Sequence, residues 1–109
     1  MDMSQIMALC ASMEDSHECF PFGPLPVCYK SGPKDRIFAQ IYPDKVTLRC
    51  TRLMGEVWKS EHPESLSRGY HCPARQAPYF ITAALDLTSD ALICEMLSHA
   101  HQCVLFGLK

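Results

Sequence analysis

Between residues 27 and 50 the chain twice alternates apolar and polar residues, and no other stretch constrains the fold so tightly. Val27-Cys28-Tyr29-Lys30 leads through Ser31-Gly32-Pro33-Lys34-Asp35 into residues 36–42, where Ile37, Ala39 and Ile41 alternate with Phe38, Gln40 and Tyr42. Beyond Pro43-Asp44, Val46, Leu48 and Cys50 alternate with Lys45, Thr47 and Arg49. A period of two is that of strands with one buried face. Pro43 presets φ at the first central position of a turn and Asp44 can bond its own backbone, so the flanking segments pair as a hairpin. An antiparallel meander is expected.

A sheet with one apolar face needs a cover, and three segments supply helical spacing. Ser4 can cap a first helix in which Ile6, Leu9, Cys10 and Met13 form a one-sided stripe. Thr51 can cap a second over residues 52–61, with Leu53, Met54, Val57 and Trp58 inward and His62-Pro63 ending it. The third starts at Thr88 or Ser89, with Asp90 at the positive end of the dipole; it carries Leu92, Ile93, Met96, Leu97, Ala100, Cys103 and Val104, and Gly107 stops it. Prolines make residues 20–26 a stiff connection that Phe20 and Phe22 are expected to anchor to the core. Residues 64–78 lack periodicity, and 79–85 read as a further strand rich in aromatic and β-branched residues. With 109 residues there is room for a single domain, 1–109, burying roughly two thirds of the surface its unfolded chain exposes.

Composition narrows the setting. Hydrophobic content of 48% with 20% charged residues suits a soluble globule, and there is no apolar run of about 18 residues to span a bilayer. The start, Met1-Asp2-Met3-Ser4, carries an acid and no basic residue before its apolar residues, unlike a secretory leader, so a cytoplasmic location is expected. Seven cysteines form no Cys-x-x-Cys pair; reduced thiols are expected, with Cys10, Cys50 and Cys103 on buried faces. Net charge is −2, yet nine of the ten basic residues and only five of the twelve acids lie between Lys30 and Arg75. Such a bias is most often a solvated polar face, and otherwise a site for phosphates or an acidic partner; the pI near 6.2 is well below the value above ~9 usual for nucleic-acid domains.

Candidate chemistry gathers in residues 67–78, where Arg68, Tyr70, His71, Cys72 and Arg75 fall on an irregular loop. Adjacent His71 and Cys72 would point to opposite sides of an extended segment, which weakens a metal pair or a thiolate with its base. His99 and Cys103 share a helix face, but two ligands do not close a zinc site. Glu14, Asp15 and Glu18 cluster near His17 and Cys19, as exposed acids commonly do after a helix. There is no Gly-rich phosphate loop, Gly-x-Ser-x-Gly or His-Glu-x-x-His. Cys72 with His71 or His99 is the one candidate dyad, so neither an enzyme nor a cofactor is expected.

Pro21-Phe22-Gly23-Pro24, Arg36-Ile37-Phe38-Ala39, Val46-Thr47-Leu48-Arg49-Cys50 before a capped helix, Gly69-Tyr70-His71 and the closing Gly107-Leu108-Lys109 occur in an order and spacing that resembles the MmcQ/YjbR family nearly end to end. The resemblance implies a CyaY-like α+β fold, helices packed on one face of an antiparallel sheet and the other face open. Members of that family are commonly described as DNA-binding, which makes DNA the implied partner. Lys30, Lys34, Arg36, Lys45, Arg49 and Arg52 would then contact phosphates, with Arg68, His71 and Arg75 extending the surface and Tyr70 or Tyr79 stacking. The chain departs from the family after Gly-Tyr-His, where a basic and aromatic run is usual and residues 72–78 keep only Arg75. A non-enzymatic protein-interaction or regulatory module without nucleic-acid binding is the alternative, and a monomer with no membrane contact is expected in either case.

Overall fold

The alternating segments form three consecutive antiparallel strands, β2 (Val27–Ser31), β3 (Arg36–Ile41) and β4 (Lys45–Arg49), in a computed structural model that describes residues 1–109. Val27 and Val46 both lie opposite Ile41, and Leu48 lies opposite Ala39, so their apolar side chains share one face. β6 (Phe80–Ala84) pairs with β4, placing Leu48 opposite Ile81 and Val46 opposite Ala83 on that face. The outer strands are β1 (His17–Cys19) beside β2 and β5 (Leu66–Arg68) beside β6. The result is a six-stranded, wholly antiparallel sheet in the order β1-β2-β3-β4-β6-β5.

All three helices cover the same face. One cluster joins Ile6 and Cys10 of α1 (Met3–Ser12), Trp58 of α2 (Arg52–Glu61), and Ile93, Met96, Leu97, Ala100 and Val104 of α3 (Asp90–Phe106) to Val27, Tyr29, Ala39, Ile41, Val46, Leu48, Ile81 and Ala83. Burial at roughly 25 cal/mol per Å² of apolar surface is what holds such a layer together. Ser89 caps α3 by accepting from the Leu92 amide, and Gly107 ends it in the left-handed conformation, φ 65°. His101, on α3, is buried: its Nε2 lies 2.7 Å from the Glu14 carbonyl, which can only accept, so Nε2 carries the proton. Ser31 Oγ donates to the same carbonyl, tying the sheet, α3 and the end of α1 together. No helix is long and apolar enough to cross a membrane.

Several local expectations need correction. Asp2, not Ser4, caps α1: its carboxylate accepts from the Gln5 amide at 2.9 Å and the Gln5 side chain accepts from the Asp2 amide at 2.8 Å, a capping box that starts the helix at Met3. The acidic stretch after α1 includes β1, and the irregular stretch 64–78 includes β5 and, with Tyr79, a 3-10 turn, Ala77–Tyr79. Phe20 and Phe22 do not anchor their loop in the core; Phe22 is 61% exposed. On α2, Leu53 (71% exposed) and Val57 also face outward, because this helix lies over β5, β6 and the 3-10 turn at the sheet margin and seats itself through Trp58.

Strict alternation fails once within β3. Tyr29 lies opposite Ala39 while Lys30 lies opposite Ile37, so Phe38 is an extra residue in a β-bulge. Phe38 consequently points to the helix side, fully buried with its ring edge-on to His101 at 5.2 Å, and Ile37 passes to the other face.

Candidate functional site

The face without helices presents Cys28, Lys30, Ile37, Gln40, Tyr42, Lys45, Thr47, Arg49, Phe80 and Thr82. It is less open than the resemblance implies. Cys28, Thr47, Phe80 and Thr82 are buried there, under a loop of residues 20–26 on one side and a loop of residues 69–79 on the other. Between the loops runs a groove.

The second wall is fixed to the sheet by hydrogen bonds. The Tyr70 amide donates to Thr82 Oγ1 at 2.8 Å, which shares a 2.9 Å hydrogen bond with Thr47 Oγ1 across the β4–β6 pair. Arg68 Nη2 donates to the Cys72 carbonyl at 2.9 Å. Gly69 lets this chain pass close to the sheet, since a β-carbon there would stand 2.8 Å from Cβ of Phe80. Next to it His71 adopts φ 56°, a left-handed conformation uncommon for a residue with a side chain. Its ring meets that of Tyr70 at 4.1 Å, and Tyr70 meets Tyr42 edge-on at 5.4 Å. Lys45 Nζ lies 4.4 Å from the Tyr70 ring centre.

The groove has two chemically different ends. One is a cavity of about 670 Å³ lined by Phe22, Leu25, Pro26, Gln40, Tyr42, Tyr70, His71, Cys72, Pro73 and Gln76. Through Phe22, Gln40 and Gln76 it continues to Lys30, Arg36 and Arg49, with Asp35 the one acid present. Arg75 and Lys109, and then Lys34, extend this cationic end around the termini of β3 and α3. None of these six cations lies within ion-pair distance of a carboxylate; the molecule's pairs are Met1 amine–Asp90, His17–Asp35, Lys45–Asp44 and His62–Glu64. Arg49 is central: its guanidinium lies 5.5 Å from the rings of both Tyr79 and Phe80, and its buried Nε has no hydrogen-bond partner in the protein.

Of the residues singled out from sequence, the fold gathers Lys30, Lys34, Arg36, Arg49 and Arg75 at one end of the groove and Tyr70 and His71 at the other. Lys45 stands beside the aromatic end, paired with Asp44 at 3.2 Å. Arg68 is occupied in holding the Cys72 carbonyl, and Arg52, the exposed first residue of α2, lines neither end. Sequence reasoning missed Lys109, Leu25, Gln40, Tyr42 and Gln76 as site residues. For Gln40 and Tyr42 the signal was present, since both occupy outward positions of the alternation.

Burial and hydrogen bonding occupy several of the thiols and imidazoles, in the groove and outside it. Burial pushes Cys10, Cys28 and Cys50 up to about 12 and raises Cys72, with Arg68 opposing it at Cys72. Cys72 makes no hydrogen bond to His71 or His99. His99 Nε2 instead accepts the Thr51 amide at 3.1 Å and lies 3.5 Å from Cys103 Sγ, its ring edge-on to Trp58. Burial lowers its pKa. No group of three His, Cys, Asp or Glu side chains is placed to hold a metal ion.

Three helices on one face of a six-stranded antiparallel sheet, with a loop-walled groove on the other, define a small α+β domain that presents a sheet face. The YjbR family model matches residues 11–103, and the chain belongs to that family. Its fold is similar to that of a Deinococcus radiodurans protein, DR2400, with the DUF419 domain (TM-score 0.79, 23% identity, 100% of this chain and 83% of that one). It is also similar to a protein from Pseudomonas syringae (TM-score 0.75, 14% identity, 95% of this chain and 99% of that one). At these identities the likeness is one of fold. No curated protein matches the chain.

Proposed function

We propose that this protein is a nucleic-acid-binding protein, not an enzyme, and that it binds through the groove on its helix-free face. One observation carries this: six cations without carboxylate partners converge at one end of a groove whose other end is aromatic. Unpaired Lys and Arg side chains neutralise phosphates and release counterions, while aromatic rings take bases. Arginine at the centre suits phosphate, because its planar donors engage two oxygens at once. The overall charge of −2 opposes long-range attraction, so binding rests on the local cluster.

Anisotropy titrations of labelled single-stranded and duplex DNA at low and near-physiological salt test this. Binding should weaken with salt and fall at least ten-fold in an Arg36→Glu, Arg49→Glu variant; absence of binding by the wild-type protein at low salt would refute it. A protein-interaction module remains the second reading, favoured by the exposed Leu53 and Val57 one turn apart on α2. That reading predicts a protein partner whose binding is lost in Leu53→Ser, Val57→Ser and kept in the double glutamate variant.

A further inference from the structure

Resting on the nucleic-acid reading, we infer that the aromatic end of the groove receives one unstacked base of a single strand whose phosphates run along the cationic end. The pocket is lined by Phe22, Tyr42, Tyr70 and His71, and Phe22 and Tyr70 remain well exposed although large and aromatic. Exposed rings lining a cleft of about 670 Å³ offer π-faces to a flat guest. Its polar lining is an amide pair: Gln40 on the floor and Gln76 on the wall, whose side chains make no hydrogen bond within the protein. A primary amide both donates and accepts, which matches the edge of a nucleobase better than it matches a purely apolar side chain.

The charge distribution selects a strand over a free nucleotide. Gln40 and Gln76 line both the aromatic pocket and the adjoining stretch with Lys30, Arg36 and Arg49, and the cations continue past it to Arg75 and Lys109. A mononucleotide would use one such cation set and leave the others unpaired, whereas successive phosphates use the run. A paired base is stacked and cannot turn its faces into a cleft between two loops, so duplex is disfavoured.

The test compares a labelled homothymidine strand, an abasic strand of equal length, the same sequence as duplex, and thymidine monophosphate, each titrated with the full chain at low salt. The homothymidine strand should bind roughly ten-fold or more tighter than the abasic strand, the loss expected for one stacked base. Tyr70→Ala should bring the two strands to parity, Tyr70→Phe should preserve the difference, and Gln40→Ala, on strand β3, should reduce it in a protein of unchanged circular dichroism. Equal binding of normal and abasic strands, or duplex bound as tightly as single strand, would overturn the inference and leave the phosphate-binding reading standing. Thymidine monophosphate binding as tightly as the strand would overturn the strand commitment. No binding of any probe would overturn both.

Discussion

At Arg49 a cation stacked on Tyr79 and Phe80 keeps a buried Nε without a partner. An unsatisfied buried donor costs about 1–3 kcal/mol, and each ring contact returns roughly 0.5–1 kcal/mol. The two nearly cancel, so Arg49→Met should change stability in urea denaturation by no more than about 1 kcal/mol while weakening DNA binding. His99 behaves differently. Burial lowers its pKa from the usual 6.5, so between those two values the unfolded chain binds a proton that the folded chain refuses. Stability is unaffected above that window and declines as pH drops below about 6.5, until folded His99 itself protonates; the urea midpoint should show this decline, blunted in His99→Gln. Among the thiols, exposed Cys94 should be alkylated first near neutral pH, with Cys10, Cys28 and Cys50 unreactive until unfolding. Selective early labelling of Cys72, read by mass spectrometry, would reopen a catalytic role for it.

Among the elements, the β2–β3 turn is clamped onto α3. Gly32 has φ 85°, and a β-carbon there would stand 2.2 Å from the Val104 carbonyl oxygen. Gly32→Ala therefore combines left-handed strain with overpacking, about 2–5 kcal/mol, and should lower the melting temperature sharply. Elements long enough to show their period were legible from sequence: β2, β4, β6, α2 with its Thr51 cap, α3 from Ser89 to Gly107, α1 apart from its cap, and β3 apart from its bulge. β1 and β5 were not, because three residues contain no measurable alternation and their pairing is set by neighbours distant in sequence. The outward turn of Leu53 and Val57 was hidden for another reason: α2 has an apolar stripe wider than the sheet margin it covers. The cations of the candidate site were individually visible, but their convergence with Lys109 arises only when α3 returns its end to the termini of β3 and β4.

For the whole molecule, the sheet separates a dry face from a charged one, and salt is the variable that reads the second. If all six groove cations meet phosphates of a single strand, log affinity should fall with log salt at a slope near −4, about −0.7 per contact. A slope near −1 would mean that most of them stay in water. The bulge at Phe38 decides which side chain this part of β3 presents to the groove. A strand of strict parity would deliver that aromatic ring to the same side as Gln40 and Tyr42, where the smaller Ile37 now stands. One supernumerary residue instead sends the ring to the helices as filling, and what the sheet gives up in regular pairing it gains as a slimmer aliphatic side chain beside the cations.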